Sequence, residues 1–364
     1  MIYLDYQATT PIAPEAREAM LPWLGEMFGN PHSTHRMGRE AKAGVELARD
    51  RIAALVPGKG RLIFTGGATE ALNLALKGSR PRRIVTIATE HAAVLDTVQW
   101  LARQGCEVEI LPVGPDGLVD LDHAAGAIVP GTSIVAAMLV NNEIGALQPV
   151  AEIAALARAA GALFLCDAVQ GFGRLPLPEA DLIAISAHKI HGPKGIGALW
   201  VRDGVTLEPQ IHGGGQEGGL RSGTLAPQLC VGFGVAAQLC EDHRAADAAH
   251  VARLQQRALA TLGEGWIVNG SLDRRYAGNL NVRRPGLDVA RLLSDLREVA
   301  ISAGSACASG SGRPSHVLTA LGLPRDDVRS SIRIGFGRYT SEGEVDRAME
   351  MIRATALAQR TAAA

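Results

Sequence analysis

Strand-like and helix-like segments alternate regularly between about residues 62 and 201, and this restricts the possible folds more than any other feature. Short runs of β-branched and aliphatic residues predict strands at 62–65, 84–87, 134–139, 163–166, 182–186 and 198–201. Helical patterns lie between them, at 69–77, 92–103 and 150–160. Such alternation is typical of an α/β fold with a mostly parallel sheet flanked by helices.

The rest of the chain has a different pattern. A long helical stretch covers about 227–262, mixed short strands and helices follow it, and a final helix is predicted at 341–358. A chain of 364 residues is too long for one small core. We therefore predict a large α/β domain at 14–255 and a smaller α+β domain formed by 1–13 and 256–364.

Charge and cysteine usage limit the function classes. Lys and Arg number 36 against 37 Asp and Glu, so nothing favours nucleic acid or a membrane surface as a partner. The five cysteines form no CxxC pair, which is typical of a reducing compartment. No signal peptide and no apolar run of membrane-spanning length is visible. The expectation is a cytoplasmic enzyme.

Polar and reactive residues follow five of the predicted strands. In open α/β sheets, ligands bind beyond the carboxyl ends of the strands, so these residues are expected to converge. In chain order they are Gly66-Gly67-Ala68-Thr69, Thr89-Glu90-His91, Asn141-Asn142-Glu143, Asp167 with Gln170, and Ala187-His188-Lys189. A purely structural protein has no need for this arrangement, which therefore predicts a catalytic site.

Gly66-Gly67 leads directly into a predicted helix. The free N–H groups and the positive dipole end of that helix can bind an anion. The alternative is a tight turn in which Thr69 is the helix N-cap. The segment matches neither GxGxxG nor GxxxxGK[ST], so a nucleotide site gains little support.

Lys189 and Asp167 each allow two interpretations. A lysine at a strand end is either a solvated charge or, when buried and neutral, an amine that can form a Schiff base. Asp167 ends an apolar run and is either a helix N-cap or the partner of a buried cation such as a pyridinium nitrogen. His91 either caps a helix or stacks on a planar cofactor.

Cys307 lies in a long segment of Ser, Ala and Gly, where a thiol has little to pack against and is accessible. No second cysteine is near it, which argues against a metal site. Arg333, inside a short apolar strand pattern, needs either an internal carboxylate or a substrate carboxylate. Asn142 and Gln170 either contact a cofactor or satisfy loop backbone.

Taken together, several segments resemble the cysteine desulfurases of the NifS/IscS-like subgroup, which are fold-type I, class V aminotransferase-group enzymes that use pyridoxal 5′-phosphate (PLP). The resemblance runs from Tyr3 to Thr340. The segments that carry it are 3–11, Phe28-Gly29-Asn30-Pro31, 141–145, Ser186-Ala187-His188-Lys189, 212–217, Arg221-Ser222-Gly223-Thr224 and Gly304-Ser305-Ala306-Cys307. Gly66, Leu72 and Ala303 depart from the usual residues of that group, and none of the three removes a catalytic group.

The resemblance implies a role for each site residue. Lys189 carries PLP covalently, Asp167 pairs with the pyridine nitrogen, and His91 stacks on the ring and is catalytic. Arg333 binds the substrate carboxylate. Gln170 and Asn142 contact the ring oxygen, and Asn142 is also near the substrate. Thr69, Ser186 and His188 hold the phosphate, and Thr224 reaches the phosphate of the partner subunit in a homodimer. Ala68 is a further cofactor-binding residue.

The implied activity is conversion of L-cysteine to L-alanine, with the sulfur held as a persulfide on Cys307. An acceptor protein, such as one serving iron-sulfur cluster assembly or tRNA thiolation, would then receive it. Two alternatives stay open at this point. One is another PLP enzyme of the same fold, such as a transaminase or a selenocysteine lyase, and the other is a non-enzymatic scaffold for sulfur assembly.

Overall fold

The structure is a computed structural model that describes residues 1–304 and 314–361. Its strands are β1 (Ile2–Tyr3), β2 (Gly60–Thr65), β3 (Arg83–Ile87), β4 (Glu107–Leu111), β5 (Ile134–Met138), β6 (Leu163–Asp167), β7 (Leu182–Ser186), β8 (Gly197–Arg202), β9 (Ile267–Val268), β10 (Asn279–Arg283), β11 (Val299–Ala300), β12 (Ser302–Ala303) and β13 (Ser331–Gly335). Its α-helices are α1 (Pro14–Leu24), α2 (Arg36–Ala53), α3 (Ala68–Gly78), α4 (Ala92–Arg103), α5 (Leu121–Ala127), α6 (Val150–Ala159), α7 (Pro227–Leu262), α8 (Val289–Asp295), α9 (His316–Ala320), α10 (Arg325–Arg329) and α11 (Glu342–Thr361).

The large sheet has seven strands in the order β2-β8-β7-β6-β5-β3-β4. Only β8 runs antiparallel to its two neighbours, β2 and β7, and the other six strands share one direction. The predicted mostly parallel α/β sheet is thereby confirmed. The carboxyl ends of β2, β3, β5, β6 and β7 consequently meet at the same edge.

Helices cover both faces of this sheet, and the strand side chains alternate between them. Ile183 and Ile185 of β7 pack in the cluster that includes α2, α6 and α7. Leu182 and Ala184 pack on the opposite face with α3 and α4. A strand buried on both faces requires an almost continuous apolar run, which is why these segments are readable in the sequence.

A second, four-stranded sheet has the order β12-β13-β10-β9 and is antiparallel throughout. Its apolar side chains form a separate core with α8, α11 and the end of α7. Phe233 of α7 packs in the first core and Leu254 in this second core. The division of the chain at residue 255 stays a prediction, and α7 runs continuously through that position.

The first residues of the chain connect the two sheets. Ile2 and Leu4 are buried in the second core, and Asp5 forms a parallel bridge to Gly335 of β13. A Cβ at Gly335 would lie 2.7 Å from the Tyr6 backbone nitrogen, so this close approach requires glycine. Further along, the Thr10 N–H donates to the carbonyl of His188, directly after β7, at 2.9 Å.

No helix within residues 1–304 and 314–361 combines the length and the apolar character needed to cross a lipid bilayer.

The contact between Asp5 and Arg333 gives a prediction about stability. Arg333 is 1% exposed, and its guanidinium donates to Asp5 Oδ1 at 2.7 Å. Asp5→Asn leaves a buried cation without its carboxylate, and we expect a loss of about 3–5 kcal/mol in the free energy of unfolding. Urea unfolding at pH 7 measures this loss.

The matched control is Glu298→Gln, which removes the carboxylate of the exposed pair with Arg347. We expect it to cost less than about 1 kcal/mol, since solvent screens exposed pairs. Equal losses in the two variants would show that Asp5 does not compensate the buried charge of Arg333.

Candidate active site

A cavity of about 540 Å³ opens at the edge where the parallel strands end. Among the residues predicted from the sequence, those lining it are Ala68, Thr69, His91, Asn142, Asp167, Gln170, Ser186, His188, Lys189 and Arg333. Thr224 is exposed and is not part of this lining. Cys307 lies outside the described residues. The ends of the parallel strands therefore bring most of the predicted cofactor residues together, and β13 of the smaller sheet adds Arg333.

The turn after β2 presents the start of α3 to this cavity. Helix α3 begins at Ala68 with Gly67 as its N-cap, and no side chain caps it. The interpretation of Thr69 as the cap is therefore wrong. A Cβ at Gly197 of β8 would lie 2.7 Å from the Gly67 carbonyl carbon, so glycine permits this close packing. The uncapped N–H groups of α3 are suited to an anion.

His91 is the helix cap that one of its two interpretations predicts, and its stacking on a cofactor stays a prediction. It is the N-cap of α4, and its Nδ1 accepts a hydrogen bond from the Ala93 N–H at 3.0 Å. It also lines the cavity. Because Nδ1 is an acceptor, the neutral ring carries its proton on Nε2. The capping interaction thus fixes both the position and the tautomer of the ring.

Asp167 is the last residue of β6 and is 5% exposed. Turns rather than a helix follow it, so the N-cap interpretation is wrong. Its Oδ1 accepts from the Val169 N–H at 3.0 Å. Burial raises the pKa of this carboxyl, while the Val169 N–H and the charges of His91 and Lys189 act in the opposite direction. The site therefore favours a positively charged group beside Asp167.

Lys189 ends a short 3-10 turn that follows β7. Its Nζ donates to the carbonyls of Gln7, at 2.6 Å, and of Ala8, at 2.9 Å. Gln170 Nε2 donates to the same Gln7 carbonyl at 3.0 Å. The N-terminal segment thus forms one wall of the cavity, a role that the strand-end argument missed. The only signal for it was the resemblance carried by 3–11.

His188 is neutral at physiological pH in this environment. Burial, with smaller effects from the charges of Lys189 and Lys194, lowers the pKa of His188 to about 4. Its Nδ1 lies 3.1 Å from Thr9 Oγ1. Ser186, two residues earlier, is buried at the end of β7. These groups act in the cavity as neutral hydrogen-bonding partners.

Arg333 has the internal carboxylate partner that one of its two interpretations predicts, and its contact with a substrate carboxylate stays a prediction. Besides its ion pair with Asp5, its Nη1 donates to the Asn142 carbonyl at 3.1 Å. The side chain nevertheless lines the cavity, so a substrate carboxylate can approach it. The Asn142 carbonyl additionally accepts from Asn279 Nδ2 at 3.1 Å, which holds the turn after β5 against β10.

The segments on either side of 305–313 are anchored beside the cavity. Ser302 pairs with Arg333 across β12 and β13, and the Gly304 N–H donates to the Ser331 carbonyl at 3.0 Å. On the other side, Ser315 Oγ donates to Glu143 Oε2 at 2.5 Å. Both flanks of the segment that contains Cys307 are therefore close to residues that line, or lie next to, the cavity.

Comparisons with known proteins identify the family. The family Aminotransferase class-V matches residues 2–348. The chain is 44% identical to the cysteine desulfurase IscS of Rickettsia akari, over 96% of this chain and 90% of that protein. It is 45% identical to a probable mitochondrial cysteine desulfurase of Schizosaccharomyces pombe, over 96% of this chain and 73% of that one.

Two solved structures have the same architecture over nearly their whole length. One is a NifS-like protein with a TM-score of 0.91 and 33% identity, covering 97% of this chain and 98% of that one. The other is SspA in complex with cysteine, with a TM-score of 0.84 and 36% identity, covering 94% and 100%. The chain belongs to the class-V aminotransferase family and, within it, to the cysteine desulfurases.

Proposed function

We propose that this protein is a PLP-dependent cysteine desulfurase that converts L-cysteine to L-alanine and receives the sulfur on Cys307. The observation that carries the proposal is the placement of Lys189 and Asp167 in one cavity, with Asp167 at the end of β6 and Lys189 in the turn after the neighbouring strand β7. A lysine amine and a buried carboxylate on adjacent strand ends match the two ends of a pyridoxal ring.

The residues of the cavity fit PLP in three respects. The Asp167 carboxylate is suited to a protonated ring nitrogen, and the uncapped start of α3 at Gly67 to Thr69 is suited to a phosphate. The Lys189 amine is suited to the aldehyde. Cofactor contacts are proposed for His91, Gln170, Asn142, Ser186, His188 and Ala68 as well, all of which line the same cavity.

When bound, PLP supplies the electron sink that stabilises the carbanion formed at the substrate Cα. The chain's own residues supply orientation and proton transfer. Arg333, held by Asp5, binds the substrate carboxylate, and this fixes the direction of the Cα–H bond. Lys189 Nζ takes the Cα proton as general base. His91, with its proton on Nε2, would hold the ring of the bound cofactor and could exchange a proton there.

Cys307 is the proposed sulfur acceptor. Its thiolate attacks the substrate sulfur, so an S–S bond forms, the Cβ–S bond breaks and the electron pair of that bond passes to Cβ. Protonation of Cβ then gives the methyl group of alanine. The persulfide is passed on to an acceptor protein, such as one in iron-sulfur cluster assembly or tRNA thiolation.

The other cysteines are poorly suited to this step. Cys166, Cys230 and Cys240 are buried, and burial raises the pKa of all three thiols, to about 12 for Cys230. Cys106 is partly exposed, but burial and the charge of Glu107 raise its pKa too. None of the four lines the cavity. All four are free thiols, which supports a reducing compartment such as the cytoplasm.

The first test of the function uses L-cysteine and a reductant. We expect the purified protein to be yellow and to form alanine and sulfide in equal amounts. Cys307→Ala should stay yellow and change its visible spectrum with L-cysteine, yet form alanine at less than about 1% of the parental rate, since the sulfur acceptor is missing.

Cys106→Ala is the control for that experiment and should keep the parental rate. Parental turnover by Cys307→Ala would remove Cys307 as the nucleophile and favour another PLP enzyme of this fold. A colourless protein without turnover would instead favour the non-enzymatic scaffold.

The second test concerns the lysine. Borohydride reduction followed by peptide mapping should place the pyridoxyl group on Lys189. Lys194 is the matched alternative, because it lines the same cavity. A pyridoxyl group on Lys194 would overturn the assignment of Lys189.

We also propose that the protein acts as a homodimer with shared sites. Thr224 is exposed and does not line the cavity of its own chain, which supports a contact with the phosphate bound by the other subunit. Mixing Lys189→Ala chains with Thr224→Ala chains should create hybrids with one unaltered site and thereby restore activity. Sedimentation of a fully active monomer would contradict this arrangement.

A further inference from the structure

Glu90 is a charged residue type in a fully buried position, with 0% of the residue exposed. It lies between β3 and α4, directly before His91. The pairing of β3 with β5 ends at Thr86 and Ala136. Beyond that point Glu90 Oε1 accepts the Met138 N–H of β5 at 2.6 Å. The carboxyl thus replaces the missing strand partner at the edge of the sheet.

The second oxygen of this carboxyl, Oε2, is buried and has no hydrogen-bond partner within residues 1–304 and 314–361. No ion pair of the described residues involves Glu90 either. An ionised carboxylate in such a place would lose its hydration without compensation, which is strongly unfavourable. A protonated carboxyl avoids that cost.

The groups around Glu90 also favour the protonated form of its carboxyl. Met138, whose N–H Glu90 accepts, pairs with Asp167 across β5 and β6, so the two carboxyls lie near each other. The Cys166 thiol of β6 interacts with Glu90 electrostatically as well. From α9, His316 Nε2 lies 2.9 Å from the Glu90 carbonyl, and that ring is exposed. Burial, followed by the negative charge of Asp167, raises the pKa of Glu90 well above its usual range, and the Met138 N–H only partly opposes this.

Asp167 differs from Glu90 in what surrounds it. It lines the cavity, accepts the Val169 N–H, and the charge of Lys189 favours its ionised form. When two carboxyls are close and only one has such support, the supported group ionises and the other keeps the proton.

We propose that Glu90 and Asp167 together carry one negative charge, and that Glu90 is the positioning residue that holds the proton. Asp167 is then the one ionised carboxylate among the described residues that line the cavity. The inference rests on the proposed function in one respect, since Asp167 is the proposed partner of the PLP ring nitrogen. A second ionised carboxylate would repel Asp167, while the neutral Glu90 keeps the end of β5 in place beside it through Met138.

The decisive experiment uses Glu90→Gln in the PLP-free protein, because the amide has the same shape and no charge. In the parent, the folded state binds one proton more than the unfolded state between the ordinary pKa of Glu and the raised folded pKa. The contribution of Glu90 to the free energy of unfolding of the parent is therefore fully present at low pH, and it decreases as pH rises through that window.

The variant lacks this dependence. The ratio of the unfolding equilibrium constant of the variant to that of the parent should therefore fall roughly tenfold per pH unit across the window. Urea unfolding between pH 5 and pH 8 measures both constants. Exposed Glu241→Gln is the control and should show a constant difference from the parent. A constant difference in Glu90→Gln, or failure of that variant to fold, would overturn the proposal.

A second measurement separates positioning from simple support of the fold. With PLP, Glu90→Gln should keep the visible spectrum and its pH dependence, and bind PLP within about threefold of the parent, because a neutral group still occupies the position. Glu90→Ala removes the acceptor of the Met138 N–H and should bind PLP at least tenfold more weakly.

The two possible failures are distinguishable. If the parent itself does not bind PLP, the proposed function fails, whereas the unfolding comparison still decides where the proton resides. If the parent binds PLP but Glu90→Gln loses its spectrum, Glu90 acts as an ion and the proposal is wrong.

Discussion

The buried carboxylate of Asp167 is the constraint on which the arrangement of the site depends. It lies at the end of β6, inside an apolar sheet, so it needs hydrogen bonds and opposite charge nearby. Val169 supplies an N–H from the following turn, while His91 and Lys189 come from the ends of β3 and β7. Only strands that run in the same direction can deliver all three to one edge.

The N-terminal segment supplies what the large sheet does not. The Gln7 carbonyl accepts hydrogen bonds from both Lys189 and Gln170, and Asp5 compensates the buried charge of Arg333. One short segment therefore positions groups from the large sheet and from the smaller antiparallel sheet. The geometry of the cavity depends on how the two sheets are joined, and the segment that joins them is far in sequence from most of the residues it holds.

Several residues combine a structural interaction with a place in the cavity. His91 caps α4 while it lines the cavity, and Arg333 forms an internal ion pair while it does the same. A structural contact of this kind leaves the side chain available to a ligand in the cavity. The physical reason is that a side chain can hold a ligand in a fixed orientation only when its own position is fixed by other contacts.

The sequence by itself determined the α/β class and the residues at the strand ends. Strands buried on both faces form continuous apolar runs, and the short connections between elements set the direction of the strands. The sequence missed β4, whose Glu107 and Glu109 interrupt the apolar pattern. Only the tertiary structure decided the role of Gln7, because its backbone carbonyl accepts hydrogen bonds whatever the residue type. Only the tertiary structure decided the burial of Glu90 as well, because a carboxyl beside a loop is normally expected to be solvated. The role of Gln7 and the burial of Glu90 both depend on contacts between chain segments that are far apart in sequence, and a local sequence pattern does not predict such contacts.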